Sequence, residues 1–186
     1  MDLKQAIYQR RSTRQFTQAA VSQEDLLALI DAAVQAPSAV NEQPWSFYVV
    51  RDRQHLIRLS AEVKDHLLRT SSMAAMAEHV RETRSDPGND IFHGAPVLLV
   101  IASQYDSVWA IEDCALAAAN VMLTAHSMGL GTCWIGSAHT YLQTPRGRAS
   151  LQLESHHRAV APIIIGHPRV TPPSVARRPA DIHWMS

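Results

Sequence analysis

The stretch VWAIEDCALAAANVMLTAHSMGLGTCWIG, Val108–Gly136, decides the architecture. From Val108 to Met128 it is rich in alanine, with Glu112, Asp113, Asn120 and a few other polar residues set among apolar ones, the pattern of a largely buried central helix. Gly129 follows where a helix C-cap belongs. TCWIG, Thr132–Gly136, then reads as a short strand. The glycines invite comparison with a dinucleotide-binding fingerprint, but GLGTCWIG does not match it. Trp134 stands where the third glycine is needed, and the segment follows a helix rather than a strand. Trp134 is instead a core residue by default, and Gly136 would let backbone approach a ligand closely.

The flanking segments extend this reading in both directions. Leu3 to Arg10 is a short helix by pattern, and Ser22 to Ala36 a longer one. In the second, Ser22 with Asp25 resembles a capping box, Leu26, Leu29, Ile30 and Ala33 form an apolar stripe, and Pro37 supplies a stop. Ser46–Asp52, SFYVVRD, reads as a strand followed by a helical pattern through Leu56, Leu59 and Val63. Ser71–Arg84 is helical by composition, and SDPGND, Ser85–Asp90, is turn chemistry. PVLLVIAS, Pro96–Ser103, has the continuous apolar character of a strand covered on both faces. APIIIG, Ala161–Gly166, is another short strand, preceded by a weaker helical stretch around Pro145–Leu153. The tail HPRVTPPSVARRPADIHW contains four prolines and predicts an extended arm that becomes ordered only against a binding surface. Helices and strands mix without a regular βαβ alternation. The expectation is one α+β layered domain over residues 1–186 whose sheet is not purely parallel.

Composition narrows the function. Seventeen basic and 17 acidic side chains cancel, so no global field draws the chain to nucleic acid or to an anionic membrane, and any anion site has to be local. The amino terminus MDLKQAIYQRR lacks the apolar run of a secretory signal, and APVLLVIA is far short of the roughly 20 residues of a spanning helix. A cytoplasmic protein is expected. Cys114 and Cys133 sit among apolar neighbours without metal-binding spacing and read as buried reduced thiols. Ten histidines are scattered, and the adjacent pair His156-His157 lacks the i, i+4 spacing that places two ligands on one helix face, so no metal is expected.

Local charge does appear in RRSTRQF, Arg10–Phe16, where Arg10, Arg11 and Arg14 flank Ser12 and Thr13. If the first helix continued, Arg10 and Arg14 would share a face, and cations at a helix C-terminus would complement its dipole. Alternatively, planar guanidiniums and hydroxyls are the donors that bind phosphate oxygens. The tail pair Arg177-Arg178 adds a second cluster, which favours a shared anion. In PSAVNEQPW, Pro37–Trp45, Asn41 and Gln43 lie two residues apart and would point the same way along an extended segment. Each amide donates and accepts, which suits a heterocycle edge carrying carbonyls and ring N–H groups.

Taken in order, RRSTRQF, APSAVNEQPWSFYVV, GAPVLLVIA, EDCALAAANVMLTAHSMGLGTCWIG, IIIGHP and the Pro/Arg-rich tail ending in HW resemble the nitroreductase family of flavin-dependent oxidoreductases, in its short form, over nearly the whole chain. The resemblance implies a three-layer α-β-α sandwich with a mixed, mostly antiparallel sheet. It also implies a homodimer holding FMN at the subunit interface, with the C-terminal arm on the partner. Position by position, it implies phosphate and ribityl contacts from Arg10, Arg11, Ser12 and Arg14, completed by Arg177 or Arg178. Pro37, Ser38 and Ala39 would approach the flavin from the other subunit, with Asn41 and Gln43 at its ring edge. Trp134, Ile135 and Gly136 would lie with their backbone against the isoalloxazine. The implied reaction takes a hydride from NAD(P)H and passes electrons to a nitroaromatic, quinone or other conjugated acceptor. Storage of flavin without turnover, dehalogenation and flavin fragmentation are the alternatives. Family members with a lysine near the flavin differ from this chain, which has none in either early motif.

Overall fold

A computed structural model describes residues 1–70 and 90–185. The expected helix at Ser71–Arg84 lies outside the described residues, as does most of the expected loop Ser85–Asp90. The described helices are α1 (Leu3–Gln9), α2 (Gln23–Val34), α3 (Arg53–Thr70), α4 (Ala110–Ser127), α5 (His139–Leu142) and α6 (Pro145–Ser150). The strands are β1 (Trp45–Val50), β2 (Val97–Ser103), β3 (Gly131–Trp134) and β4 (Arg158–Gly166).

Local chemistry accounts for the helix ends. Asp2 caps α1 and Gln5 reaches back to it, a reciprocal capping box. At α2 the box is only half formed. The Ser22 hydroxyl accepts from the Asp25 N–H at 2.9 Å, but that hydroxyl donates to the Asp25 carboxylate rather than leaving it for the backbone. Leu26, Leu29 and Ala33 of the expected stripe are buried, and the helix ends at Val34, ahead of Pro37. α4 ends at Gly129, whose φ of 79° is the left-handed conformation a C-cap glycine supplies.

The strands form one sheet in the order β1-β2-β4-β3, and all three pairings are antiparallel. Parallel pairing occurs at the isolated bridge between Ser12 and Thr132. Strand periodicity divides the core into two layers. Leu98 and Val100 of β2 face a cluster with Leu56, Leu59 and Val63 of α3 and Leu142 of α5. Val97, Leu99 and Ile101 face a second cluster with Leu29 and Ala33 of α2 and Cys114, Ala118 and Val121 of α4. Helices therefore cover both faces of the sheet, giving a three-layer α-β-α domain. A register shift at Ile101/Ala102 lets the neighbouring Val160 and Ala161 both face the α4 side. Pro162 sits inside the central strand β4 without disrupting it. Its carbonyl, on the side facing β3, accepts from Ile135 N at 2.8 Å just past the last β3 pair, Trp134–Ile163, so the missing N–H falls where the ladder has ended.

On the α3 side, Tyr141 donates to Glu62 at 2.6 Å and Arg146 donates to the same carboxylate at 2.6 and 3.1 Å, tying α5 and α6 to α3. Burial and this bond push the Tyr141 phenol up to about 12. The hydrogen bond from Tyr141 holds Glu62 below the usual carboxylate range.

The segment after α1 is fixed by β3. Thr13 N donates to Thr132 O at 2.9 Å, and Thr13 is 3% exposed. A Cβ on Gly131 would lie 2.6 Å from Thr13 Oγ1 and 2.7 Å from its Cβ, so the two segments touch only because residue 131 has no side chain. Gly131→Ala should therefore destabilise the fold by about 1–3 kcal/mol, the usual cost of overpacking, read as a lowered midpoint in urea unfolding; an unchanged midpoint would mean the contact yields freely.

Candidate functional site

The arginine segment does not continue α1 as a helix. Arg10 is already its C-cap, with φ −55° and ψ 130°, so Arg10 and Arg14 do not share a helical face. Residues 11–16 instead run extended between β3 and the start of the tail. Thr17 N donates to His167 O at 2.9 Å, Arg169 N donates to Gln15 O at 2.9 Å, and Phe16 bridges Pro168. Pairing on β3 displaces the helical turn that spacing alone allowed.

Held to Gln15 and Thr17 through its backbone, and reached at Ser174 Oγ by Arg11 Nη2 at 3.5 Å, the tail brings its own charge to the early arginines. Burial, then the charge of Arg177, lower the Arg10 pKa, with Arg11 adding to the effect. His126, at the last turn of α4, is lowered by burial and by Arg10 and Arg11. Among the described residues, none of Arg10, Arg11, Arg14 and Arg177 has a carboxylate ion-pair partner. Two polar atoms of this group are buried with no hydrogen-bond partner, Arg11 Nε and His126 Nε2. The Arg11 guanidinium is otherwise held by the Tyr8 and Arg10 carbonyls at 2.7 and 2.8 Å. Guanidiniums of like charge with no carboxylate partner among the described residues are a setting that a bound anion would relieve. Arg14 is exposed, and its charge acts on His93, which burial lowers first. Arg178 is exposed and does not figure among the charges acting on Arg10.

The loop after α2 differs from its expected conformation. Asn41 and Gln43 do not lie on an extended segment. Ala39–Asn41 is a short 3-10 turn, and Val40, Asn41 and Gln43 have φ of 47°, 58° and 50°. The two amides meet regardless, Gln43 Nε2 donating to Asn41 Oδ1 at 3.0 Å. Ser38 Oγ accepts from Gln43 N at 3.0 Å, and Ala39 N donates to the buried Asp113 carboxylate at 3.1 and 3.3 Å. Pro37, Asn41 and Gln43 are exposed, Ser38 and Ala39 half-buried. Asp113 and His126 escaped the sequence reading as site-forming residues. Their signal was polarity at isolated positions of an otherwise apolar helix.

Beyond β3, the Ile135 side chain packs into the core on the α3 side while Trp134 packs partly against the α4 side. Gly136 is exposed, with open space where a Cβ would stand. The structure thus gathers Arg10, Arg11, Arg177 and His126 by the C-terminal end of α4, with Ser12 bridged to Thr132 at the start of β3. It holds Pro37–Gln43 elsewhere, at the opposite end of α4. Asp113 and His126 are separated by roughly 20 Å along a helix rising 1.5 Å per residue. Cys114 and Cys133 are both buried, and burial beside Asp113 pushes the Cys114 thiol up to about 12, leaving it inert.

Three histidines lowered first by burial, His93, His126 and His157, set an acid-side pH dependence. Between the lowered folded value and the ordinary value near 6.5, the unfolded chain holds more protons than the folded one, so stability falls as pH falls. The ligand-free protein should lose stability as pH drops from about 7.5 towards 5.5, and His126→Gln should flatten that slope. Urea midpoints across the range check this; identical slopes in both proteins would exclude His126 as a contributor.

With this geometry in hand, comparison with known proteins is specific. The family model described as "Nitroreductase family" matches residues 7–167. The chain is 29% identical over 177 residues to a protein of Methanothermobacter thermautotrophicus named "Putative NADH dehydrogenase/NAD(P)H nitroreductase", covering 92% of this chain and 80% of that one. It is 28% identical over 125 residues to an iodotyrosine deiodinase of Thermotoga neapolitana, covering 66% and 67%. Its fold superposes on the crystal structure of a nitroreductase with bound FMN from Bacteroides fragilis with a TM-score of 0.86 at 25% identity, covering all of both chains. The motifs, the three-layer antiparallel fold and the family match agree, and the chain belongs to the nitroreductase family.

Proposed function

We propose that this protein is an FMN-dependent oxidoreductase that draws electrons from NAD(P)H, and that it works as a homodimer. The observation that carries the reading is the cluster of Arg10, Arg11, Arg177 and His126, which has no carboxylate partner among the described residues and leaves Arg11 Nε and His126 Nε2 buried without a hydrogen-bond partner. A phosphate ester supplies what that cluster lacks. Arg10 and Arg177 would take its oxygens, with Ser12 adding a hydroxyl, and Arg177 is favoured over Arg178 because its charge reaches Arg10. FMN, when bound, supplies the hydride and electron chemistry that no side chain offers. Trp134, Ile135 and Gly136 would present backbone to its ring, with room beside Gly136. Asn41 and Gln43 would offer amide donors and acceptors to the ring edge. Arg14, exposed beside His93, would take a ribityl or phosphate oxygen.

The separation of the two halves of the site along α4 supports the dimer. One chain presents the arginines at one end of this helix and the Pro37–Gln43 loop at the other, so the loop would serve the site of the partner subunit. Exposed apolar side chains are available for that contact: Ile111 and Leu116 on α4, Leu3, Ile7 and Tyr8 on α1, and Ile182, Trp184 and Met185 in the tail. No described helix is long and apolar enough to cross a membrane. Acceptors would be nitroaromatics, quinones or related conjugated electrophiles. Reductive dehalogenation is the second reading, favoured by the similarity to an iodotyrosine deiodinase.

Arg10→Ala and Arg177→Ala should each weaken FMN binding by about 1.5–3 kcal/mol, the cost of losing a charged hydrogen bond, while Arg178→Ala should change it little. Fluorescence titration of the flavin-free protein measures this. An anaerobic absorption spectrum taken before and after NADH or NADPH tests turnover: a bound flavin spectrum that bleaches supports the reductase, and a flavin that stays oxidised with both donors overturns it.

A further inference from the structure

We propose that Glu154, His156 and His157 form a binding site for a divalent transition metal of the zinc class, in the turn that leads into β4 and apart from the arginine cluster. Their donor atoms all lie within 4.8 Å of one another. Glu154 Oε2 is 3.8 Å from Nε2 of His156 and 3.8 Å from Nε2 of His157. Tetrahedral zinc with ligands at about 2.0–2.2 Å places donor atoms about 3.3 Å apart. The two Glu154–histidine pairs therefore need to close by about half an ångström, and the two imidazoles, within 4.8 Å of each other, by at most about 1.5 Å. The two imidazole rings meet edge to face, 4.6 Å apart at 86°.

Two further features hold the donors in place. His157 Nδ1 lies 2.6 Å from Tyr48 Oη, and Glu154 N donates to the same oxygen at 3.3 Å. With Nδ1–H donating to that phenol, His157 Nε2 presents its lone pair to the cluster, the arrangement in which a second hydrogen bond orients a metal-binding imidazole. Arg148 Nη2 donates to the carbonyls of Glu154 and Ser155 at 2.7 and 2.8 Å, and its Nη1 donates to that of His157. One side chain thus fixes the turn that carries all three donors. Two imidazoles and a carboxylate are a donor set that zinc accepts with its fourth position left to water. The i, i+4 spacing that a helix requires of two histidine ligands does not apply to the His156-His157 pair, because the pair lies in a turn, where adjacent residues can converge.

Tyr48 packs against the α3 side of the sheet, opposite α4. The metal would lock the turn before β4, which the His157–Tyr48 hydrogen bond joins to β1, and nothing in this assignment depends on the flavin reading. The test is calorimetric titration of Zn²⁺ into untagged, chelator-treated protein as purified, with the thermal midpoint measured alongside. One saturable Zn²⁺ per chain and a raised midpoint are expected. Glu154→Gln and His156→Ala alter side chains 65% and 61% exposed, so the fold is spared, and each should abolish the stoichiometric event. Tyr48→Phe should keep the stoichiometry and weaken affinity about 10–100-fold; unchanged affinity would remove Tyr48 as a positioning residue. Absence of saturable binding overturns the site, and so does binding that survives both ligand substitutions.

Discussion

The Asp113 carboxylate is 4% exposed inside an otherwise apolar helix, and a charge so placed is costly unless fully hydrogen-bonded. Its partner is the backbone N–H of Ala39, at 3.1 and 3.3 Å from its two oxygens. This contact holds the first residue of a loop whose next positions, Val40, Asn41 and Gln43, are left-handed without being glycine. Such backbone costs about 1–3 kcal/mol per residue and persists only where its surroundings over-determine it. Gln43 N on Ser38 Oγ and Gln43 Nε2 on Asn41 Oδ1 complete the restraint. Farther along the same helix, Asn120 donates to Ala32 O at 3.0 Å and holds the end of α2, from which the loop departs. The polar residues of α4 are thus attachment points for what lies around it.

At the far end of α4 the balance is reversed, because positive charge there goes unanswered. The charge of Arg177 raises the cost of charge on Arg10, and Arg11 Nε and His126 Nε2 are buried without a hydrogen-bond partner. The fold sustains this because residues 11–16 are stitched on one side to Thr132 and on the other to His167 and Arg169. Cohesion of the backbone offsets repulsion of the side chains. An anion placed there would turn a local penalty into a local gain, so the ligand-free chain is expected to be weakest where it is best prepared to bind.

Much of this was legible in the sequence. The continuous apolar run of β2 and the alanine-rich run of α4 announced covered elements: β2 is buried throughout, and α4 is covered except along a face that exposes Ile111, Glu112 and Leu116 and at its last residue, Ser127. The arginine motif and the loop motif were also visible as chemistry. Their local conformations were not. The spacing of Arg10 and Arg14 suits a helix, and only the pairing of Thr13 with Thr132, a contact between residues far apart in sequence, selects the extended form. The left-handed turn at Val40 depends likewise on Asp113, which no local pattern connects to Ala39. Single residues that act through a distant partner are invisible to periodicity.

The same logic explains why one chain looks complete as a fold and incomplete as a site. Both faces of the sheet are covered and the core is closed. Yet the loop amides and the arginines are held at opposite ends of one rigid helix, and no rotation of side chains spans about 20 Å. A long, straight, central helix is a poor way to bring its own two ends together, but it is a good way to keep them apart at a fixed distance. In the proposed dimer, two antiparallel copies of such a helix, related by a two-fold axis, would set the loop end of each beside the arginine end of the other. A symmetric dimer would then build two equal sites from one rigid strut, and neither half would need to move to complete them.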